Sequence, residues 1–235
     1  MEKMHFSVSL RIPKPMFMRQ IIVVFFLVLW TVPRVSVAAT EEPTFTIVES
    51  YDQWELRQYA PTLEAQVEVR GVFRSAVSQG FRLLADFIFG NNVSPTGNGA
   101  QKIAMTAPVS AAPRLQAGIT NDNGARWVVT FTMPSVFTVA SLPKPVNSRV
   151  IIHQNKGGLY AAIRFKGKIK NPDSWAGVEG TLRQAIQEQR LSAAGTVRTA
   201  QYDGPWVPGP FRRNELLLPV RCLAADDPRC SGKAP

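Results

Sequence analysis

Histidine and cysteine are the scarcest chemistry-bearing residues of this 235-residue chain, which holds two of each. His5 lies in the first segment, leaving His153 alone in the remainder, so a hydrolytic metal site or a Cys-His dyad has no partners to draw on. The sequence has no Gly-x-Ser-x-Gly elbow, no Gly-Lys-Ser/Thr phosphate loop and no His-Glu-x-x-His helix. Gly90 to Gly99 is rich in glycine, but no strand feeds it and no basic residue closes it, which argues against phosphate cradling. Neither cysteine sits in a Cys-x-x-Cys or Cys-x-x-Cys-His motif. Conventional hydrolytic or redox catalysis is therefore not expected, and neither a catalytic residue nor a metal ligand is assigned.

Acidic residues are also few, 17 against 27 Lys and Arg. Five of the basic residues and one acid fall in residues 1–39, leaving 22 against 16, or +6, for the rest. No run of five or more like charges occurs, so nucleic acid is not the expected partner. Long apolar runs are missing too. Ile21 to Val32 is the one extended apolar stretch, and it falls short of the ~20 residues needed to span a bilayer. Lys3, Arg11, Lys14 and Arg19 precede it, and Val37-Ala38-Ala39 supplies small residues for cleavage. Residues 1–39 thus read as a signal peptide, with a mature protein in the periplasm or outside the cell and no stable membrane span. A membrane anchor through residues 21–32 is the alternative. In such a compartment Cys222 and Cys230, in the tail of residues 221–235, are expected to pair, which stabilises by about 2 to 3 kcal/mol on the chain-entropy model.

What remains, residues 40–220, is enough for one domain with a sizeable core. Alternation in Trp54 to Tyr59 and in Leu63 to Gly71 predicts a β-hairpin. Phe73, Ala76, Val77, Gly80, Phe81, Leu84, Phe87 and Ile88 then recur at helical spacing, ended by Gly90-Asn91-Asn92. "KIAMTAPV" (Lys102 to Val109) and Arg126 to Pro134 read as strands. Arg149 to Gln154 and Gly158 to Gly167 predict a second hairpin. A second helix, capped by Asp173 or Ser174, carries Trp175, Val178, Leu182, Ala185, Ile186 and Leu191. A proline- and aromatic-rich loop leads to a last strand, Glu215 to Val220.

The two halves resemble each other. Setting "LEAQVEVRG" against "LYAAIRFKG" matches Leu63 to Leu159, Ala65 to Ala161 and Gly71 to Gly167. Aligning Pro108-Val109 with Pro219-Val220 puts Met105 opposite Leu216. A duplicated β-hairpin, helix and strand unit implies an α+β fold with pseudo-twofold symmetry, in which curved antiparallel sheets carry two helices. Leu216 has no metal-binding atom, so Met105 is read as an apolar wall rather than a ligand. His153, beside a hairpin turn, is read as a surface residue.

"YDQWELRQY", "GFRLLADFIFGNN" with "KIAMTAPV", "LYAAIRFKG" and "PWVPGPFRRNELLLPV" resemble, in that order, recurring segments of the SOUL haem-binding protein family. The resemblance implies a twisted antiparallel β-barrel flanked by two helices. It also implies tetrapyrrole binding in a shallow apolar groove beside the first helix, often without a defined protein ligand to the iron. Carried over by position, the groove walls are Phe81, Leu84, Ala85, Ile88 and Phe89 on the helix, Met105 on the next strand, and Trp206 and Phe211 on the late loop. Arg82, Arg212 and Arg213 are the candidate cations for the propionates. Ordinary core packing competes for the apolar set, and a loop-holding role competes for Arg212 and Arg213. The expected function is a non-enzymatic, exported binding protein for haem or a related tetrapyrrole. A sensor or carrier of other amphipathic small molecules is the alternative, with a tetrapyrrole-modifying enzyme ranked last.

Overall fold

The computed structural model describes residues 40–97, 99–114 and 125–230. The leader expected over residues 1–39 lies outside the described residues. The strands of the first half are β1 (Phe45–Ser50), β2 (Trp54–Tyr59), β3 (Thr62–Arg70), β4 (Asn92–Val93), β5 (Val109–Pro113), β6 (Arg126–Thr132) and β7 (Lys144–Pro145). Those of the second are β8 (Val150–Asn155), β9 (Gly158–Lys166), β10 (Leu191–Ala193), β11 (Arg198–Gln201) and β12 (Arg213–Cys222). The helices are α1 (Phe73–Ile88) and α2 (Ala176–Glu188). The fold is α+β, two helices on a curled antiparallel sheet, as the sequence predicts.

The main sheet runs β1-β2-β9-β12-β11-β5-β6-β3-β8, with β10 also paired to β12. From β2 to β8 this order is palindromic under the exchange of β2 with β8, β3 with β9, β5 with β11 and β6 with β12. The duplication is therefore real, but its internal pairing differs from expectation. β2 pairs with β9, from Trp54 opposite Ile163 to Tyr59 opposite Gly158, and β3 pairs with β8, from Thr62 opposite Asn155 to Val67 opposite Val150. Neither predicted hairpin is a hydrogen-bonded pair. A two-residue hairpin loop favours positive φ at its centre, and Ala60-Pro61 cannot supply it because proline holds φ near about −65°. The chain turns there without folding back. Gly157, at φ +72°, brings the β8–β9 turn against the β2–β3 turn, where a Cβ would collide with the Tyr59 carbonyl oxygen.

The palindrome also corrects the alignment of the two Pro-Val pairs. β5 is the counterpart of β11, and β6 is the counterpart of β12, so Met105 does not stand opposite Leu216. Nor is Met105 in a strand, because β5 begins only at Val109. Leu191, counted in the stripe of α2, opens β10 instead. The capping box before α2 joins Asn171 and Ser174 around a short turn of helix at Pro172–Ser174.

One face of the sheet meets the helices. Ala65, Val67, Val69, Trp127, Val129, Phe131, Ala161, Ile163, Leu216 and Leu218 point from the strands into a core shared with Phe73, Ala76, Leu84, Phe87 and Ile88 of α1 and Leu182 and Ile186 of α2. Fully burying side chains of this size contributes roughly 1.5 to 3 kcal/mol each. Phe73 meets Trp127 and Trp175 edge-on at 4.8 and 4.9 Å, joining the N-terminal end of α1 to that of α2. Midway along α1, Gly80 lies so close to β6 that a Cβ would stand 2.5 Å from a Val129 methyl.

Alanine favours helix over glycine by about 1 kcal/mol, yet at position 80 the clash dominates. Gly80→Ala is expected to lose about 1 to 3 kcal/mol in urea unfolding, and Gly80→Ala with Val129→Ala to cost less than the sum of the two changes. Strict additivity would show that the helix does not touch the sheet there.

Candidate functional site

Alternation along each strand places a second set of side chains on the face away from the helices. It comprises Arg57 and Tyr59 on β2, Tyr160, Ala162 and Arg164 on β9, Glu215 and Leu217 on β12, Arg198 and Ala200 on β11, Ser110 on β5, Thr130 and Thr132 on β6, and Glu64 and Gln66 on β3. Arg198 reaches Glu64 at 2.8 Å although β11 and β3 are separated by β5 and β6. Three inter-strand steps in a flat sheet would span about 14 Å, too far for the two side chains. The sheet must curl around this face, and the ion pair fastens the curl.

Two buried glutamates anchor the concave face. Glu215, with no exposed surface, accepts from Arg57 at 2.8 Å, Tyr202 at 2.8 Å, Arg164 at 3.3 Å and Arg213 at 3.4 Å. Burial alone would raise its pKa, but the hydrogen bond and charge of Arg57, helped by Tyr202 and Arg213, hold it below the usual carboxylate range. Arg57 is buried as well, over the Phe45 ring, with its Nε on Glu55. Glu64 accepts from Arg198, Gln66 and Asn155, and it too is held low against the opposing effect of burial. Burial pushes the phenols of Tyr59 and Tyr202 upward, and both stay neutral. Acids so completely engaged suit a structural role better than proton transfer.

At the end of the sheet, where the β2–β3 and β8–β9 turns meet, opens a cleft of about 500 Å³, within the usual range of small-molecule sites. Leu63, Met133, Phe137 and Val139 supply apolar walls, and the segment Glu41 to Thr44 forms one side. That segment is fixed by a parallel bridge from Glu41 to Thr106, by the Ser135 N–H donating to the Glu41 carboxylate at 2.7 Å, and by two hydrogen bonds from Arg213 to Glu42. Pro43, Ala60, Thr62, Thr132 and Asn155 also line a narrow extension that reaches Glu64, Arg198, Tyr59, Tyr160 and Tyr202.

The sequence-predicted site residues fall elsewhere, and not together. Leu84, Ala85 and Ile88 are buried beneath α1, where they hold the helix to the sheet and present no open wall. Phe81 is half-buried, edge-on to Phe131. At the C-terminal end of α1, Phe89 is 58% exposed and Met105, in the segment beside it, 41%. Lys102 places its ammonium over the Phe89 ring, and the Ile103 N–H bonds the Ile88 carbonyl to hold the two segments side by side. Arg82 lies on the exposed side of α1, seven residues before Phe89 and therefore along the same line of the helix.

On the late loop Trp206 and Phe211 are 82% and 75% exposed, and the indole folds over Gly204. Arg212 donates to the carbonyls of Pro205 and Val207, so it secures its own loop. Arg213 is committed to Glu42, Glu215 and the Tyr202 ring. Neither arginine is a spare cation; the loop-holding role is the one the structure displays. His153, on edge strand β8, is exposed on the face opposite the helices. Among the described residues no group of three or more His, Cys, Asp or Glu could hold a metal ion. Cys222 and Cys230 are joined in a disulfide.

Sequence reasoning missed the Arg57–Glu215 and Glu64–Arg198 pairs and the cleft above them. The charged residues inside otherwise alternating strands were the available signal, but alternation does not say whether a polar face is itself covered.

The model of the SOUL heme-binding protein family matches residues 40–219. No curated protein matches the sequence. Among solved structures, the chain is similar to the EcmrR C-terminal domain, with a TM-score of 0.56 and 11% identity over 73% of this chain and 98% of that one. It is also similar to an uncharacterized conserved protein from Listeria innocua, with a TM-score of 0.53 and 11% identity, covering 72% and 92%. A third structure, titled a hydrolase from Listeria innocua, has a TM-score of 0.50 and 11% identity, covering 74% and 94%. At such identities the likeness is one of fold alone.

Because both glutamate pKa values are depressed by folding, their contribution to stability is complete above the ordinary value of 4.5 and is lost as pH falls through the lower folded values. Urea midpoints should be flat near neutrality and decline below that value. Glu215→Gln, which leaves the buried Arg57 with only the part-exposed Glu55 as a charge partner, should cost about 3 to 5 kcal/mol, and Arg57→Met with Glu215→Leu should recover much of it. A Glu215→Gln variant as stable as the parent at pH 7 would show that the pair does not anchor the sheet.

Proposed function

Since the chain belongs to the SOUL heme-binding protein family, we propose that it is an exported, non-enzymatic protein that binds haem or a related tetrapyrrole. The family match over residues 40–219 carries this reading. The exposed groups at the end of α1 support it in chemistry. Phe89 offers a ring face, Met105 a polarizable thioether, and Lys102 and Arg82 cations on the same side of the helix. A flat apolar macrocycle with two carboxylates matches such a surface. With Leu84, Ala85 and Ile88 in the core, the groove of this proposal narrows to that edge.

The residues fit a tetrapyrrole held by its periphery better than one held through its metal. When bound, haem supplies an iron centre whose absorption band reports its surroundings. The chain contributes burial of one face by Phe89 and Met105 and pairing of carboxylates by Lys102 and Arg82. His153 projects from the opposite face of the sheet and is not part of this site. Non-enzymatic action is favoured because the buried acids Glu64 and Glu215 are saturated with donors. A small molecule is favoured over nucleic acid because many arginines, among them Arg57, Arg126, Arg198, Arg213 and Arg229, are already engaged by carboxylates. Export is supported by the leader pattern of residues 1–39 and by the disulfide, which suits an oxidising compartment.

Hemin titrated into the protein beginning at Thr40 should give a saturable, near-stoichiometric Soret change. Phe89→Ala and Lys102→Glu should each weaken it about tenfold, whereas Met105→Leu and His153→Ala should leave it nearly intact. Absence of saturation at micromolar hemin would sink the reading. Expression of the full chain in a Gram-negative host should yield periplasmic protein with an N-terminus near Thr40, and retention in the membrane through residues 21–32 would contradict the proposed cleavage.

A further inference from the structure

The cleft lies where the β2–β3 and β8–β9 turns meet at the end of the sheet, and its lining carries three charged side chains, Glu41, Glu42 and Lys156. Glu42 is engaged by two hydrogen bonds from Arg213, and Glu41 by the Ser135 N–H. In the narrow extension Glu64 is saturated by Arg198, Gln66 and Asn155. Two of the polar side chains without a partner stand out. Lys156, in the β8–β9 turn, lines the cleft and makes no ion pair or hydrogen bond through its side chain among the described residues. Tyr160 lines the extension edge-on to Tyr59, and its hydroxyl makes no hydrogen bond among the described residues. Between them stand Leu63, Met133, Phe137 and Val139. The turn bearing Lys156 is held in place by Gly157, packed where no Cβ fits against Tyr59 and Ala60, and by the Asn155 side chain accepting from the Gly157 N–H.

We infer that this cleft is a second binding site, for a small amphipathic carboxylic acid whose head pairs with Lys156 and whose apolar body lies against Leu63, Met133, Phe137 and Val139. An anionic head is assigned to the Lys156 end of the cleft because Lys156 has no ion pair there, whereas Glu42 is paired with Arg213 and Glu41 accepts from the Ser135 N–H. A single carboxylate is selected because Lys156 is the one cation lining the cleft that has no partner among the described residues. The apolar walls favour a medium-chain or aromatic acid over a small hydrophilic one, since only the former buries those side chains. The Tyr160 hydroxyl offers one more hydrogen bond to a polar atom that reaches the extension. This site goes beyond the tetrapyrrole reading and does not depend on it.

Isothermal titration with decanoate, decanol and decylamine separates the alternatives, with hemin titrated in parallel. Decanoate should bind saturably at one site, decanol about tenfold more weakly or less, and decylamine not measurably. Lys156→Glu, at an exposed turn, should weaken decanoate at least tenfold, and Val139→Trp, at an exposed wall, should crowd it out, while both variants bind hemin as the parent does. Phe89→Ala should leave decanoate binding unchanged. Equal affinity for decanoate and decanol, preference for decylamine, no saturation by decanoate, or undiminished binding by Lys156→Glu would each overturn the assignment. So would a parallel loss of hemin binding in Lys156→Glu, which would make the two sites one. Failure of hemin to bind wild type, with decanoate still bound and Lys156-dependent, would leave this site standing and remove only the tetrapyrrole reading.

Discussion

The backbone exchange between the halves governs this molecule. Because β2 is bonded to β9 and β3 to β8, each half completes its sheet with a strand from the other. Neither half closes its own sheet, and the two turns that carry the chain across the exchange, at Ala60-Pro61 and Lys156-Gly157, are pressed together at one end of the concave face. The cleft opens at that meeting point. Its position follows from the crossing of strands.

Side-chain chemistry then fixes how strongly the exchanged sheet curls. Arg57 spans β9 to reach Glu215, and Arg198 spans β5 and β6 to reach Glu64. Each buried acid belongs to a different half, and each is paired with an arginine on a strand that is not its neighbour. Ion pairs of this kind are poor sources of net stability, because desolvation offsets much of the attraction. Their value here is geometric: a flatter sheet would part Glu64 from Arg198 and Glu215 from the buried Arg57. Competing curvatures are thereby penalised even though the native one gains little.

How far the sequence discloses this depends on what periodicity can encode. Alternation in Leu63 to Arg70 and in Arg126 to Thr132 identifies β3 and β6, and the spacing from Phe73 to Ile88 identifies α1, because burial on one face imposes those periods. Periodicity does not name a strand's partner. The hairpins inferred from adjacency were therefore wrong in pairing, while the duplication behind them was right. Nor does it separate a core stripe from a groove wall: Leu84 and Ile88 satisfy both descriptions, and only packing assigns them to the core. Arg57 in "WELRQY" reads as the outward position of a half-buried strand, yet it is covered because the sheet curls over it. The candidate cations failed for a related reason. Arg212 and Arg213 are conspicuous in the sequence, but their hydrogen bonds are made to Pro205, Val207 and Glu42, a pairing that no local pattern announces.

The placement of β12 bears on when the fold can exist at all. This strand is the shared neighbour of β9, β10 and β11, and it follows all three in the chain. Until Arg213 to Cys222 have been made, β9 and β11 have an empty lane between them, although β9 can already bond β2 and β11 can already bond β5. Without it the main sheet is in two parts, β1-β2-β9 and β11-β5-β6-β3-β8, so long-range pairing sets the timing of final assembly. Closing that lane is the last pairing the chain order permits, and the two parts become one sheet only when the central strand arrives.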